Sequence, residues 1–574
     1  MKTNATQVTK SHPGVNPGHE PLFTNVAVGD LDGDGRQWIV ATSSTGRTYV
    51  WNSQGQRRQG WPKELDSGVQ KPGIPRPNAP FTRPAIMGAS SPPVLVNMDG
   101  DKQLEIVQSG WDGRIHAWNP NGQAVPGWPV HVTLPPGTTP PSGMVSINDS
   151  KLDLPPTLAQ LDNDPQPELV QRTQHSFALG SGLQVGNAGV SNVVAYNANG
   201  TRVPGFLISG QALVFYYGSA QEFITEGVND PVTADINGDG KTEIASAAGI
   251  FTPTSLYNPD GSLRGLYGPF PGGVVALFAG NQAALLDALN GNLPEDTPVN
   301  FTTSGAFGKF GPGGQLTYAE PGSGAATVAA GLLLAGSGSP INSYMRAWGA
   351  ASQGPVAGFP SKAQGLDFLG EPVIADVSGD GSPEIIQGGD SSALHAFTSS
   401  GTQAPGFPKF QTGWEVFGPT VGDLDGNGRN EVVAATREGY LMVWNTPGKA
   451  TGNDQWWSYR HDERNTGTYG IDTRPPGALR NFKVDRGADE VTFKAPGDDW
   501  YDGKADHYRV ALSRPCGAPD TQFQNVPATV QAGATQTIEL HGRVATVFAV
   551  DDAGNRDQAK SFAASCGSRR PAPH

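Results

Sequence analysis

An acidic loop set between two short apolar runs recurs along this sequence, and a chain made of one repeated unit has to stack its copies to bury them. Six copies read DLDGDGRQWIV (30–40), NMDGDKQLEIV (97–107), QLDNDPQPELV (160–170), DINGDGKTEIA (235–245), DVSGDGSPEII (376–386) and DLDGNGRNEVV (423–433). A further copy, KFGPGGQLTYA (309–319), is fifth in chain order and keeps the frame without the acids. Loops are numbered 1 to 7 in chain order below.

After each loop comes a period-2 strand, such as RTYVWN (47–52), RIHAWN (114–119), ALHAFT (393–398) or YLMVWN (440–445). A turn then leads to Gly60-Trp61-Pro62, Gly127-Trp128-Pro129, Gly358-Phe359-Pro360 or Gly406-Phe407-Pro408. Four short strands per unit in seven units predict an all-β chain, a seven-bladed β-propeller, in which radial closure hides the strand edges. The Trp and Phe of the Gly-Trp-Pro and Gly-Phe-Pro signatures recur once per unit, which favours packing between blades over a row of sugar-stacking rings. Composition agrees: 77 Gly and 49 Pro in 574 residues turn the chain often, and hydrophobic residues at 37% suffice for real cores.

The formal charge of -14 excludes a basic footprint for nucleic acid and points to cations as partners. No apolar run reaches the length of a membrane span; AATVAAGLLLAG (325–336) is too short. The first twenty residues hold no apolar stretch of a signal peptide, so a secreted form is expected to have lost its signal. The two cysteines, Cys516 and Cys566, suit one disulfide in a small outer domain and an oxidising compartment, with two free thiols as the other reading.

The loops resemble those of the FG-GAP/VCBS repeat family, whose seven-bladed propellers include the head of integrin α chains. The resemblance covers residues 22–470, after an N-terminal extension of residues 1–21. WWSYRHDERNTGTYG (456–470) is similar to the ending that closes many secreted bacterial propellers of this type. Trp456, Trp457 and Tyr459 are expected to close the last blade, and an active site at His461, Asp462, Glu463 and Arg464 is the less favoured reading.

Positions 1, 3 and 5 of such a loop aim oxygens into one concavity, position 7 offers a backbone carbonyl, and a carboxylate at position 9 completes the shell. Several hard oxygens at flexible geometry suit Ca²⁺ better than Mg²⁺ or Zn²⁺. Loop 4 is complete with Asp235, Asn237, Asp239, Lys241 (by its carbonyl) and Glu243. Loop 7 offers Asp423, Asp425, Asn427, Arg429 (carbonyl) and Glu431, and loop 6 Asp376, Ser378, Asp380, Ser382 (carbonyl) and Glu384. Loop 1 has Asp30, Asp32 and Asp34 but Trp38 at position 9. Loop 2 has Asn97, Asp99, Asp101 and Glu105 with Lys102 in the glycine position, strained if φ is positive there. Loop 3 places Pro165 there beside Asp162, Asp164 and Glu168, which makes it the expected vacancy. In loop 5, Lys309 is expected to stand where a metal would otherwise sit. Up to six structural Ca²⁺ are expected, and without a cation the loops are solvated acidic turns.

GNQAALLDALNGNLPEDTP (280–298) suits a short inserted helix. Past Arg474-Pro475-Pro476 the pattern changes to alternating strands, and APGDDWYDGKADHYRV (495–510) and VFAVDDAGNRD (547–557) resemble fibronectin type III-like modules of secreted bacterial hydrolases. A β-sandwich is expected over 474–567 and a loose tail over 568–574. No nucleophile elbow, HExxH, P-loop or quinone-propeller signature is present, so no cofactor other than calcium is expected. The reading is a secreted or cell-surface adhesion module for a protein or polysaccharide ligand. A polysaccharide lyase or hydrolase, or the non-catalytic part of a processed protease, is the alternative.

Overall fold

A strand covered on both faces needs no polar alternation, and the first strand of several repeats is buried at every position: Val94–Val96, Thr157–Ala159, Val232–Ala234, Ala306–Gly308 and Val373–Ala375. The computed structural model describes residues 22, 24–43, 46–65, 91–110, 112–133, 145–146, 152, 154–178, 184–217, 221–225, 230–247, 254–267, 298–299, 304–324, 342–365, 370–415, 417–450, 455–485, 490–513, 519–539, 543–557 and 560–561. Among these the chain is all-β, and no helix is long and apolar enough to cross a membrane. Cys516, Cys566 and the expected helix up to Thr297 lie outside the described residues.

Seven sheets follow one another, each holding one loop between its innermost strand and the next. Antiparallel register pairs Gly29 with Trp38, Val96 with Glu105, Ala159 with Glu168, Ala234 with Glu243, Ala375 with Glu384 and Gly422 with Glu431. The residue at position 9 therefore stands opposite the residue that precedes position 1. That register turns its side chain back over the loop.

The innermost strands converge on one segment, residues 455–469. The N–H at the centre of six of them donates to it: Val28 to Glu463 O (2.7 Å), Leu95 to Arg464 O (3.0 Å), Leu158 to Thr466 O (2.9 Å), Thr233 to Gly467 O (3.1 Å), Ile374 to Trp456 O (2.7 Å) and Val421 to Trp457 O (2.8 Å). In the remaining sheet, Lys309 N donates to the Gln455 side-chain carbonyl at 3.2 Å. Following the segment, the sheets are met in the order six, seven, one, two, three, four, so the seven are arranged radially and form a β-propeller with this segment on its axis. Of Trp456, Trp457 and Tyr459, expected to close the last blade, Trp457 bonds to the inner strand of the last sheet, and the other two bond elsewhere. Trp456 pairs with sheet six, and Tyr459 donates to Asp230 just before the inner strand of sheet four. The last sheet has three strands among the described residues.

Aromatic residues of the Gly-Trp-Pro motifs lie between sheets. Trp61 packs with Leu95, Ile106 and Trp118, and its indole N–H reaches Pro120 O at 3.0 Å. Trp128 packs with Leu158, Leu169 and Tyr196 and donates to Ala198 O at 2.8 Å. The described residues between Arg480 and Ser561 form a three-stranded and a four-stranded sheet over a shared core in which Val491, Phe493 and Ile538 face Tyr508, Val510 and Val547. This C-terminal pair of sheets rests on the propeller through Trp500, which lies so close to Gly422 that a Cβ there would meet the ring at 3.3 Å.

Trp456 is fully buried against the inner strand of sheet six. Trp456→Ala is expected to cost about 3–5 kcal/mol of stability in urea unfolding, the range for removing a large buried aromatic. A loss below about 1 kcal/mol, the size of an ordinary surface change, would contradict the axial role.

Candidate metal centres and the propeller axis

Each acidic loop begins as a set of side-chain-capped turns. In loops 1, 4, 6 and 7 the aspartate at position 1 accepts the N–H of the glycine at position 6: Gly35 to Asp30, Gly240 to Asp235 (2.9 Å), Gly381 to Asp376 (3.2 Å) and Gly428 to Asp423 (2.8 Å). These glycines have φ between 83° and 87°, where an L side chain is strained. Loops 2 and 3 lack that glycine, and they also lack the aspartate. Asn97 and Gln160 stand at position 1 and donate their amide N–H to the carbonyls of Asp101 and Asp164. Lys102 lies outside the left-handed region, so the strain expected there is absent.

Where position 9 is a glutamate, it behaves uniformly. One carboxylate oxygen of Glu105, Glu168, Glu243, Glu384 and Glu431 accepts the N–H of the residue at position 2, at 2.7 to 3.1 Å. All five glutamates are buried. Burial pushes Glu105, Glu168 and Glu384 up to about 7 and also raises Glu243. The second oxygen of Glu105 and of Glu431 is buried with no hydrogen-bond partner.

Carboxylate oxygens of Asp99, Asp101 and Glu105, of Asp162, Asp164 and Glu168, and of Asp423, Asp425 and Glu431 lie within 4.8 Å of one another. A buried anionic oxygen left unpaired beside two more carboxylates is costly without a cation, and the all-oxygen donor set fits Ca²⁺. Loop 3 thus gathers its acids in spite of Pro165. Loop 6 places Asp376 and Glu384 on the same frame, with Ser378 at position 3.

Two loops hold a cation of the protein's own. In loop 4, Arg264 Nη1 lies 2.7 Å from Glu243 Oε1, and Asn237 donates to the same oxygen. In loop 1, Arg58 makes a bidentate pair with Asp32 at 2.6 and 2.8 Å and stacks over Trp38, whose indole N–H also donates to Asp32. Lys309, expected to fill loop 5, is exposed. No sequence pattern announced Arg58 or Arg264, because each lies one or more strands beyond its loop.

The axis carries a second set of charges. Arg460, wholly buried, pairs with Asp230 at 2.7 Å and donates to Thr157 Oγ1 and Pro156 O, while its backbone N–H reaches Glu371 Oε2 at 2.9 Å. Burial and the charge of Asp230 push Glu371 up to about 8. His461 Nδ1 lies 2.8 Å from Asp462. Burial opposes the charge of Asp462, but the bonds from His461 and Thr466 outweigh it and hold its carboxyl low. Glu463 accepts from Thr473, and Arg464 donates to Thr473 O and Asn555. The four residues weighed as an active site are therefore bound into the axial segment.

No family model and no curated protein matches the sequence. Solved structures with some likeness include BamB from Moraxella catarrhalis, at 11% identity and a TM-score of 0.38 over 75% of this chain and 87% of that one. Another is BBS1N in complex with ARL6DN, at 11% and 0.36 over 75% and 93%. The Pan2 WD40 domain of Neurospora crassa follows at 9% and 0.34 over 75% and 90%. At these scores none bears on what this chain does. Its own sheets and loops define the class: a β-propeller with oxygen-lined acidic loops at the turn after each inner strand but one.

Glu371 supplies a pH test. Its folded pKa of about 8 lies above its ordinary value of 4.5, so between these pH values the folded state holds more protons than the unfolded state. Stability from this group is therefore lost as pH rises through that window. Unfolding free energies at pH 5 and pH 8 should fall less steeply for Glu371→Gln than for wild type; parallel slopes would contradict the assignment.

Proposed function

We propose that this chain is a calcium-stabilised β-propeller that serves as a binding or adhesion module outside the cytoplasm, with a protein or polysaccharide as ligand. The observation that carries the calcium reading is the unpartnered buried oxygen of Glu105 and Glu431, each beside two gathered carboxylates. Loops 2, 3, 6 and 7 are the proposed sites, with loop 4 weakened by Arg264. In loop 7, Asp423, Asp425, Asn427 and Glu431 supply side-chain oxygens; in loop 3 the set is Asp162, Asp164 and Glu168. The FG-GAP/VCBS resemblance of the loops is consistent with this and adds seven blades over 22–470 and a fibronectin type III-like module over 474–567. Millimolar calcium outside cells would keep such sites filled, and a Cys516–Cys566 bond would suit the same compartment.

All ligands of each site come from one loop, so the metal's role is structural: it neutralises the loop and fixes the turn between two strands. Binding to the folded state alone adds RT ln(1 + [L]/Kd), about 2.7 kcal/mol per site at a hundred times Kd. Protein dialysed into calcium should retain bound metal by elemental analysis and melt lower after chelation. Asp423→Ala and Asp162→Ala should each lose one ion. A melting curve indifferent to chelator, with no retained calcium, would refute the reading. A glycan and surface-protein array probed with and without chelator tests the binding role.

A further inference from the structure

Loop 1 departs from the other acidic loops in a way that the calcium reading does not explain. Its position 9 is Trp38, so no carboxylate closes the shell. Both oxygens of Asp32 are taken by Arg58. Both oxygens of Asp30 accept backbone N–H groups, from Asp34 at 3.0 Å and from Gly35, as those of Asp235 and Asp423 do in loops 4 and 7, so the difference lies at Asp32 and Trp38.

A second guanidinium comes from elsewhere in the chain. Arg556, in the turn before the last described strand of the C-terminal sheets, donates from Nη1 to Gly33 O at 3.3 Å, and its charge acts on Asp30 and Asp34. The ring of Phe548 lies 3.5 Å beneath it and fixes its direction. Neighbouring Asn555 accepts from Arg464 at 2.8 Å and donates to Asp472 O at 3.2 Å, so the whole turn rests on loop 1 and the axial segment together. Gly33 has φ of 65° at a point where a Cβ would strike Lys102, so no larger residue fits beside the Arg556 contact.

We infer that loop 1 is filled by protein instead of metal: Arg58 and Arg556 neutralise it as a divalent cation would neutralise loops 2, 3 and 7, and loop 1 is a socket that, beside the contacts of Trp500 and Arg480 with the last sheet, seats the C-terminal sheets on the propeller. The comparison with the other loops rests on the calcium reading above; the docking role stands on the contacts alone. In such a socket Arg58 occupies both oxygens of Asp32, the position-3 ligand that a bound cation would need.

The test uses the full chain and two readouts. Calcium retained after dialysis should be the same for Asp30→Asn as for wild type, whereas Asp423→Ala loses one ion. Protease nicking between Gly470 and Arg480, mapped by mass spectrometry, should rise roughly tenfold in Arg556→Ala, the effect of about 1.4 kcal/mol of lost docking. Arg556→Lys should restore part of it. Loss of one calcium in Asp30→Asn would make loop 1 a metal site and overturn the inference. Unchanged nicking in Arg556→Ala would overturn the socket. If wild type retains no calcium at all, the calcium reading fails while nicking still decides the socket.

Discussion

Six main-chain hydrogen bonds into residues 456–467 hold the propeller together at its centre. A strand of three residues has little pairing of its own, and its middle N–H would be buried without a partner if the axis were empty. The axial segment supplies those partners in ring order, and it bends sharply to do so: Arg460, His461 and Asn465 all take positive φ, at 52°, 79° and 59°. Such backbone persists only where surrounding bonds over-determine it. Asp230, Thr157 and Glu371 anchor Arg460, and Asp462 caps the following turn through Arg464 and Thr466. Charges here are expensive to bury, and their geometry fixes one register of the segment against the sheets.

Around this axis the acidic loops meet a common electrostatic demand in different ways. Register places position 9 over every loop, so a glutamate there brings a third carboxylate to two others. In loops 2, 3 and 7 no basic side chain among the described residues pairs with the gathered carboxylates, and these are the loops for which a bound cation is proposed. In loop 4 Arg264 reaches the glutamate, and in loop 1 the glutamate is gone and two arginines take over. One kind of turn thereby serves as a proposed metal site in some sheets and as a contact between parts of the chain in another.

How much of this was legible in the sequence depends on distance along the chain. The repeat, its phase and the aromatic packing between sheets could be read because each unit carries the same residues at the same offsets, as Trp61 and Trp128 illustrate. The loops were legible for the same reason. Their surroundings were not, since Arg58, Arg264 and Arg556 act from 26, 21 and 523 residues away. In loop 3 Pro165 stands where a glycine would, and Gln160 at position 1 offers an amide to the Asp164 carbonyl, so the turn forms without that glycine. The axial segment is legible only in part: Trp457 meets the last sheet, but a Trp pair and a Thr-Gly spacing do not tell which other strand edges the segment receives.

The central claim, that one segment ties the inner strands into a single unit, is tested most directly by native-state hydrogen exchange at the amides of Val28, Leu95, Leu158, Thr233, Ile374 and Val421. If the axis binds them together, these six amides should open with one common free energy, equal to that of global unfolding. Separate and faster exchange in individual sheets would show that the ring stands without its axial segment, and would contradict the account.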